Sequence, residues 1–575
     1  MKHRARRLSL LLIAILAMVA CASSGATSAP RGNSDAAART AAEPSRTLAV
    51  AIRLEPATVA TRPMRNVGVG LYLPARVFNA QIGILDEKGN AHPYLVESLP
   101  RLNTDNWRVF PDGRMETTYL LKPNLTWHDS SPLTSQDFVF GWRVYTAPGG
   151  QANLPPYRSI DEVVAIDDRT ILIKWKQPYP DTSFTSGLNL ELPPLPRQLL
   201  EASFQPDQLE SFINHSYWTR DYVGLGPYRL DRWETGSFIE GSAFAGHALG
   251  RPKIDQLKLQ FIGDNNTALA NLMAGEVQLS DGTSLGLPQV GVLKQDWIPR
   301  GLGKVVLHPN QWRAAHFQMR PDVASPVSLQ DARTRKALAH AVDKVPINDG
   351  LYNGDGVIAD SMVVPFSPWG PAAERQILRY PFDLRQSDAL MNQAGFTKGP
   401  DGSYASPTEG RFSFEVKTNA ATDNEAEMQI LTSLWRQAGF DAQDTVLAAA
   451  QAQDPQMRSI FPGMFINSQN NDESAVIGLT TDQIPRADNR WVGGNRSGYS
   501  NLDFDRLVES FTTSLVQSER EDLMARMVRV YTDESPSISL FFRTQAWAYS
   551  SDLTGPQLVT PETNMSWNIQ DWRLR

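Results

Sequence analysis

The chain holds a single cysteine in 575 residues, which excludes an intrachain disulfide framework and any zinc or iron–sulfur site built from cysteines. Long apolar runs are also missing. The most apolar stretch, residues 8–20, spans about 13 residues, short of the roughly 20 that cross a bilayer as a helix. Excess base is absent too: 55 Lys and Arg face 62 Asp and Glu, a formal charge of −7. Four positive charges, Lys2, Arg4, Arg6 and Arg7, sit at the N-terminus, and removing them takes the balance from −7 to −11. Nucleic acid is therefore an improbable partner, because phosphate binding needs clustered Lys and Arg. Catalytic signatures are equally scarce. None of the eight histidines forms H-x-x-x-H or H-E-x-x-H, so helical zinc sites lack their spacing. Phosphate-binding and dinucleotide-binding glycine loops are missing. Gly282-Thr283-Ser284-Leu285-Gly286 matches the pattern of a nucleophile elbow, but Leu287-Pro288 follows it and the next residues show no strong helix pattern. No catalytic residue, metal site or cofactor is expected.

What is present begins with a basic stretch, the short apolar run and then Cys21. This is the layout of an export signal. The segment Leu16-Ala17-Met18-Val19-Ala20-Cys21 looks like a lipobox, with Met18 where Leu is usual, and Cys21 is the expected lipidation site. Residues 1–21 then form a lipoprotein signal peptide, and residues 22–46, small and polar without periodicity, a flexible tether. The folded part should open with a buried strand at Leu48-Ala49-Val50-Ala51-Ile52. Further strands are expected at 170–175, 256–262 and 276–279, and a half-buried one at 412–417, where apolar residues alternate. Met428, Leu431, Trp435 and Ala438 mark one face of a helix. A second helix is expected over 331–345, started by a capping box at Ser328-Leu329-Gln330-Asp331 and stopped by Pro346. The tetrapeptide Gln-Ala-Gly-Phe occurs at 393–396 and 437–440, each time as a helix terminator with glycine at C′. Mixed strand and helix signals indicate an α/β or α+β class with mixed sheets.

Five ordered segments carry a resemblance. The strongest is Leu120–Phe140, with Trp127-His128-Asp129-Ser130-Ser131-Pro132-Leu133-Thr134 and Asp137. It is followed by Gly224-Leu225-Gly226-Pro227-Tyr228-Arg229-Leu230 with Trp233 and Gly236, and by Asp264 to Gly282 with Ala274-Gly275-Glu276-Val277. The last two are Arg335-Lys336-Ala337-Leu338 to Asp343-Lys344, and Gly498-Tyr499-Ser500-Asn501-Leu502-Asp503-Phe504-Asp505. Together they resemble the family 5 solute-binding proteins, the oligopeptide-, dipeptide- and nickel-type binding lipoproteins of ABC importers. Ser130 stands where that family has glycine, so a left-handed turn there would be strained.

The resemblance implies a periplasmic-binding-protein-like flytrap of two lobes with an extra inserted domain. Domain I would comprise 47–78, 223–303 and 531–575, the inserted domain II 79–222, and domain III 304–530. It further implies an extracytoplasmic protein, lipid-anchored to the cell membrane and monomeric, that captures a small-molecule or peptide ligand and delivers it to permease subunits. A sensor or signalling receptor on the same fold is the alternative, and a secreted glycoside hydrolase a more remote one. Peptide-binding members place an aspartate in a loop before the Gly-Tyr-x-Asn segment, where it pairs with the peptide's ammonium. Alignment sets Ser468 opposite that aspartate, and a serine cannot supply the charge-assisted bond. A ligand without a free amino terminus is expected, unless Asp472 substitutes. Trp312, Asn467, Ser468, Asn470, Arg490 and Trp491 are the expected pocket residues.

Overall fold

The structure, a computed structural model, describes residues 46–60, 72–184, 191–448 and 451–575. The expected signal peptide with Cys21, and all of the tether except Arg46, lie outside them. Among the described residues no helix is long and apolar enough to cross a membrane. From Arg46 onward the chain belongs to one compact unit.

Its frame is an 11-stranded mixed sheet. The strands are β1 (Thr47–Ile52), β2 (Tyr228–Glu234), β3 (Phe238–Ala243), β4 (Gln256–Phe261), β5 (Leu279–Ser280) and β6 (Gly303–Phe317). They continue with β7 (Val357–Ile358), β8 (Ser413–Asn419), β9 (Asp441–Leu447), β10 (Met464–Asn470) and β11 (Ser537–Ser550). The spatial order is β9-β8-β10-β6-β11-β5-β1-β4-β3-β2, with β7 also on β11. Two strands dominate: β6 has 15 residues and β11 has 14, against a usual strand of about 5–6. They pair antiparallel from Gly303↔Ser550 to His316↔Ser537, with register shifts between Pro309 and Gln311 and between Arg313 and Ala314. One end of this ribbon carries β5, β1 and β4 (β1 parallel to both neighbours), and the other carries β10, β8 and β9 (β8 parallel to both). β1 is buried from Leu48 to Ile52, as expected of its apolar run. β8 differs from the half-buried strand the alternation suggests. Val416, Lys417 and Thr418 are all buried, because β8 lies between β9 and β10 with both faces covered.

A separate four-stranded antiparallel sheet orders Trp107–Val109, Met115–Leu120, Thr170–Trp175 and Ile160–Ala165. Beside it lies α1 (Ser135–Tyr145). Thr134 is the N-cap of α1, and Asp137 stands in its first turn with Oδ2 accepting from the Thr134 amide at 2.8 Å, while Oδ1 accepts from the Arg197 amide at 3.0 Å. Ser130 takes φ +71°, the left-handed turn expected to strain it. His128 then joins two of the segments that carry the resemblance. Its amide donates to Gly224 O at 3.0 Å, its Nδ1 accepts from the Gly224 amide at 3.2 Å, and its Nε2 donates to Gly226 O at 3.0 Å. Burial pushes this imidazole down to about 4.

Helices cover both faces of the β8–β10 half. The stretch 331–345 is not one helix. Asp331 caps α2 (Ala332–His340), and Asp343 caps a new helix, α3 (Lys344–Tyr352), by accepting from the Val345 amide. Pro346 therefore does not stop a helix. It stands in the first turn of the next one, where its missing N–H is no loss. Next come α4 (Leu384–Gln393) and α5 (Thr422–Ala438). Both end in the expected terminator: Gly395 and Gly439 take φ +90° and +104°. The Phe396 and Phe440 amides reach back to Met391 O and Trp435 O, each at 2.9 Å, which is the Schellman pattern. Met428, Leu431, Trp435 and Ala438 bury the inner face of α5. The opposite face of the sheet is covered by α7 (Leu502–Thr513) and α8 (Gln517–Glu534), while α6 (Glu473–Ile477) follows β10 directly.

Candidate functional site

Strand direction locates the site. β5 runs antiparallel to β11, from Leu279 opposite Tyr549 to Ser280 opposite Ala548. Its carboxyl end, and those of the parallel β1 and β4, therefore point towards the middle of the long ribbon. β10 runs from Met464 opposite Phe317 to Asn470 opposite Gln311, so it and the parallel β8 point to the same middle from the other side. Open α/β sheets bind ligands outside the carboxyl ends of their strands. Here two such sets converge on one place, the irregular stretch of β6 between Pro309 and Gln311.

The walls of that place are specific. Gly282, just past β5, leaves room for β11 side chains: a Cβ there would come within 2.5 Å of Trp547 Nε1 and 2.7 Å of Gln545 Cβ. Trp547 is buried, and among the described residues neither its indole N–H nor Ser280 Oγ has a partner. Across the ribbon, Asn471 Nδ2 donates to Pro309 O at 3.1 Å, pinning the end of β10 to the irregularity. His308 Nε2 donates to Thr560 O at 3.3 Å, and burial holds the ring at about 4, a neutral imidazole. This contact brings in the C-terminal loop and with it Glu562. The Glu562 carboxyl is buried, and burial, reinforced by the charges of Glu473 and Asp472, pushes it up to about 8. Asp472 caps α6, accepting from the Ser474 amide at 3.0 Å, and is raised by burial. Glu473 is also raised by burial, against the pull of Arg520, which reaches it at 2.8 Å. At neutral pH Glu562 is thus a protonated acid able to donate a hydrogen bond, beside acids that already have partners.

The structure scatters the pocket residues expected from sequence. Trp312 is fully buried among apolar side chains such as Met362, Phe504 and Tyr531, its Nε1 donating to Ser539 Oγ at 3.1 Å, so it offers no face to a ligand. Asn467 and Ser468 are successive residues of β10 and point to opposite faces. Asn467 pairs opposite Ala314, and Ser468 opposite Arg313. Asn467 is buried beside the His316 ring, and Ser468 Oγ is buried without a partner among the described residues. Beside Ser468, the Arg313 guanidinium is held at 2.6 Å by Glu427, both almost wholly buried. Asn470 is exposed at the carboxyl end of β10 and donates to Ser474 Oγ. Arg490 and Trp491 form a tight turn with φ +56° and +60°, closed by the Trp491 amide on Arg486 O at 2.7 Å. Arg490 is exposed and Trp491 half-buried. Of the six, Asn470 alone stands at the convergence of strand ends. Gly282, Gln545, Trp547 and Glu562 escaped the sequence reading, and only the ribbon register brings them together. The serine of the elbow-like pentapeptide is buried, its Oγ engaged with Ala51 O and Asp281 Oδ1. A short helix, Leu287–Val292, does follow it, contrary to the weak pattern there. Among the described residues no group of three or more His, Cys, Asp or Glu could hold a metal ion.

Residues 97–481 match the model of the bacterial extracellular solute-binding proteins, family 5. A putative ABC transporter peptide-binding protein of Brucella ovis is 26% identical over 396 residues, covering 66% of this chain and 68% of that one. The oligopeptide-binding protein OppA of Bacillus subtilis is 21% identical over 602 residues, 98% of each chain. In structure, the chain is similar to NikA from Brucella suis in complex with Fe(III)-EDTA, with TM-score 0.72 and 17% identity. That match covers 92% of this chain and 100% of the other. The oligopeptide-binding protein of Thermus thermophilus, complexed with a pentapeptide, gives TM-score 0.68 and 20% identity over 92% and 96%.

Proposed function

Because the chain belongs to the bacterial extracellular solute-binding proteins of family 5, we propose that it captures a solute outside the cytoplasm and delivers it to the permease of an ABC importer. The observation that carries this reading is the convergence of two sets of parallel strand ends on the middle of one antiparallel ribbon. Such a place is a cleft that two lobes can close over a ligand. Binding, and not chemistry, is what its groups are fitted for: an unpartnered indole N–H, an unpartnered Ser280 hydroxyl and a buried neutral acid.

The solute is peptide-like or another polar small molecule without an obligatory ammonium. Ser468 stands where the peptide-binding pattern has its aspartate. Asp472 and Glu562 do not replace it, because Asp472 is engaged as a cap and Glu562 is uncharged at neutral pH, and Glu427 is taken up by Arg313. Calorimetry at pH 7 with a free-amino dipeptide and its N-acetyl form tests this. The acetylated form should bind at least as tightly, and micromolar affinity confined to the free-amino form would refute the assignment. Cys21 is the proposed anchor: intact mass of the mature N-terminus should show a diacylglyceryl group there, and Cys21→Ala should release the protein from membranes.

A further inference from the structure

The internal arginines described for the β8–β10 half are well satisfied. Arg335 donates to the carbonyls of Leu329, Gln330, Glu534 and Ser535. Arg313 is held by Glu427. Arg320 Nη1 donates to Ser459 O at 2.9 Å and to Arg496 O at 2.7 Å, and its Nη2 to Pro485 O. Through Arg320, with Gln318 Nε2 on Ser459 O and Phe461 O and the Met319 amide on Ser497 O, two loop segments are clamped together at the end of β6.

Each of these segments brings an arginine that lacks what the others have. Arg458 and Arg496 are half-buried, and neither makes an ion pair or side-chain hydrogen bond with any described residue. Arg458 Nε is shut off from solvent without an acceptor. Arg496 feels the Arg458 charge and lies beside the buried ring of His316, which has Asn467 on its other side. Burial, then the Arg458 charge, pushes the Arg496 guanidinium down to about 10. The other charged neighbours of Arg320 are Arg486 and the exposed Asp322. The Arg320 clamp on Ser459 O and Arg496 O holds the two segments together, so their like charges repel, and the unpaired buried Arg458 Nε donor carries a penalty. An oxyanion removes both costs, because each planar fork matches a pair of oxygens.

We propose that Arg458 and Arg496, with the ring of His316 beside them, form an oxyanion-binding site separate from the central cleft. His316 lies seven positions along β6 from Pro309, about 24 Å in an extended strand. The occupant is a carboxylate or phosphate group.

Calorimetry with sodium phosphate and, separately, sodium succinate, at pH 7 and constant ionic strength against chloride, distinguishes the two sources. Saturable binding of either anion is expected, weakened about tenfold or more in Arg496→Gln and in Arg458→Gln. In chloride alone Arg496→Gln should melt no lower than the parent, since it removes an unpaired charge. Failure of both anions to bind, or unchanged affinity in the two variants, overturns the proposal. So does a lower melting point of Arg496→Gln with anion binding intact, which would make the guanidinium a structural group. If one variant fails to fold, the other decides alone. Binding of the N-acetyl dipeptide at the central cleft should be untouched, so this result stands apart from the importer reading.

Discussion

At the scale of single residues, two side chains sit in places that cost the fold something. Ser130 holds φ +71°, and a left-handed conformation costs a residue with a Cβ about 1–2 kcal/mol, of which glycine's extra chain entropy cancels part. Ser130→Gly should therefore raise stability by about 0.5–1 kcal/mol in urea unfolding, with an unchanged slope. Glu562 is the second. Its folded pKa is about 8, above the carboxyl value of 4.5, through burial. The folded state thus holds the proton more tightly, so stability from this group is full below about 4.5 and lost as pH rises through 8. Glu562→Gln should match the parent at pH 5 and exceed it at pH 9 by on the order of a few kcal/mol. An equal difference at both pH values would show that the carboxyl does not titrate in this range. Nothing local in Pro561-Glu562-Thr563 announces such a residue. Its surroundings come from Asp472, Glu473 and His308, far away in the chain, so a reading that moves along the sequence passes over it. Trp312 shows the converse: an aromatic residue suggests a stacking surface, but period-2 alternation on β6 turns it into the apolar core.

At the scale of elements, the legible features were those whose cause lies within a few residues. The two Gln-Ala-Gly-Phe terminators were readable because donor, acceptor and backbone demand are neighbours. The helix break at Ala341–Asp343 was not, because the apolar spacing continues smoothly through it. Asp343 wins by capping α3, a local competition that periodicity does not register. Partnerships between elements were opaque as well. The Arg313–Glu427 pair joins β6 to α5 across 114 residues of sequence, with side chains 4% and 2% exposed. A buried charge that loses its partner is strongly penalised, so Glu427→Ala should cost about 3–5 kcal/mol. Replacing both residues with leucine should cost much less than the sum of the single changes. Thermal or urea unfolding of the four proteins in this cycle gives the coupling, and additive single changes would mean that the pair does not act as a unit.

At the scale of the whole molecule, β6 and β11 decide how the two ends of the sheet relate. The β1–β5 end and the β8–β10 end both build on the same ribbon, so neither has a complete sheet without it. The resemblance sets domain III to begin at 304, where β6 begins, and assigns β11 to domain I, so the ribbon joins two expected domains. Chains of this size commonly unfold in stages, but a shared ribbon ties the fate of one end to the other. Trp312→Ala, a truncation in the core of the β8–β10 end, should cost about 3–5 kcal/mol. The loss should be felt at the far end as well, because opening the core around Trp312 exposes Phe542 of β11 and loosens the ribbon against which β5 pairs. Hydrogen exchange reads this directly: in Trp312→Ala the amides of Val50 and Leu259, in β1 and β4, should lose protection together with Ile466 and Val416. If the first pair keeps parental protection while the second pair opens, the ribbon bends between two independent bodies and the coupling is absent. The same measurement with ligand present should show the reverse, with both pairs slowing together, since a solute held at Pro309–Gln311 braces the ribbon from its middle.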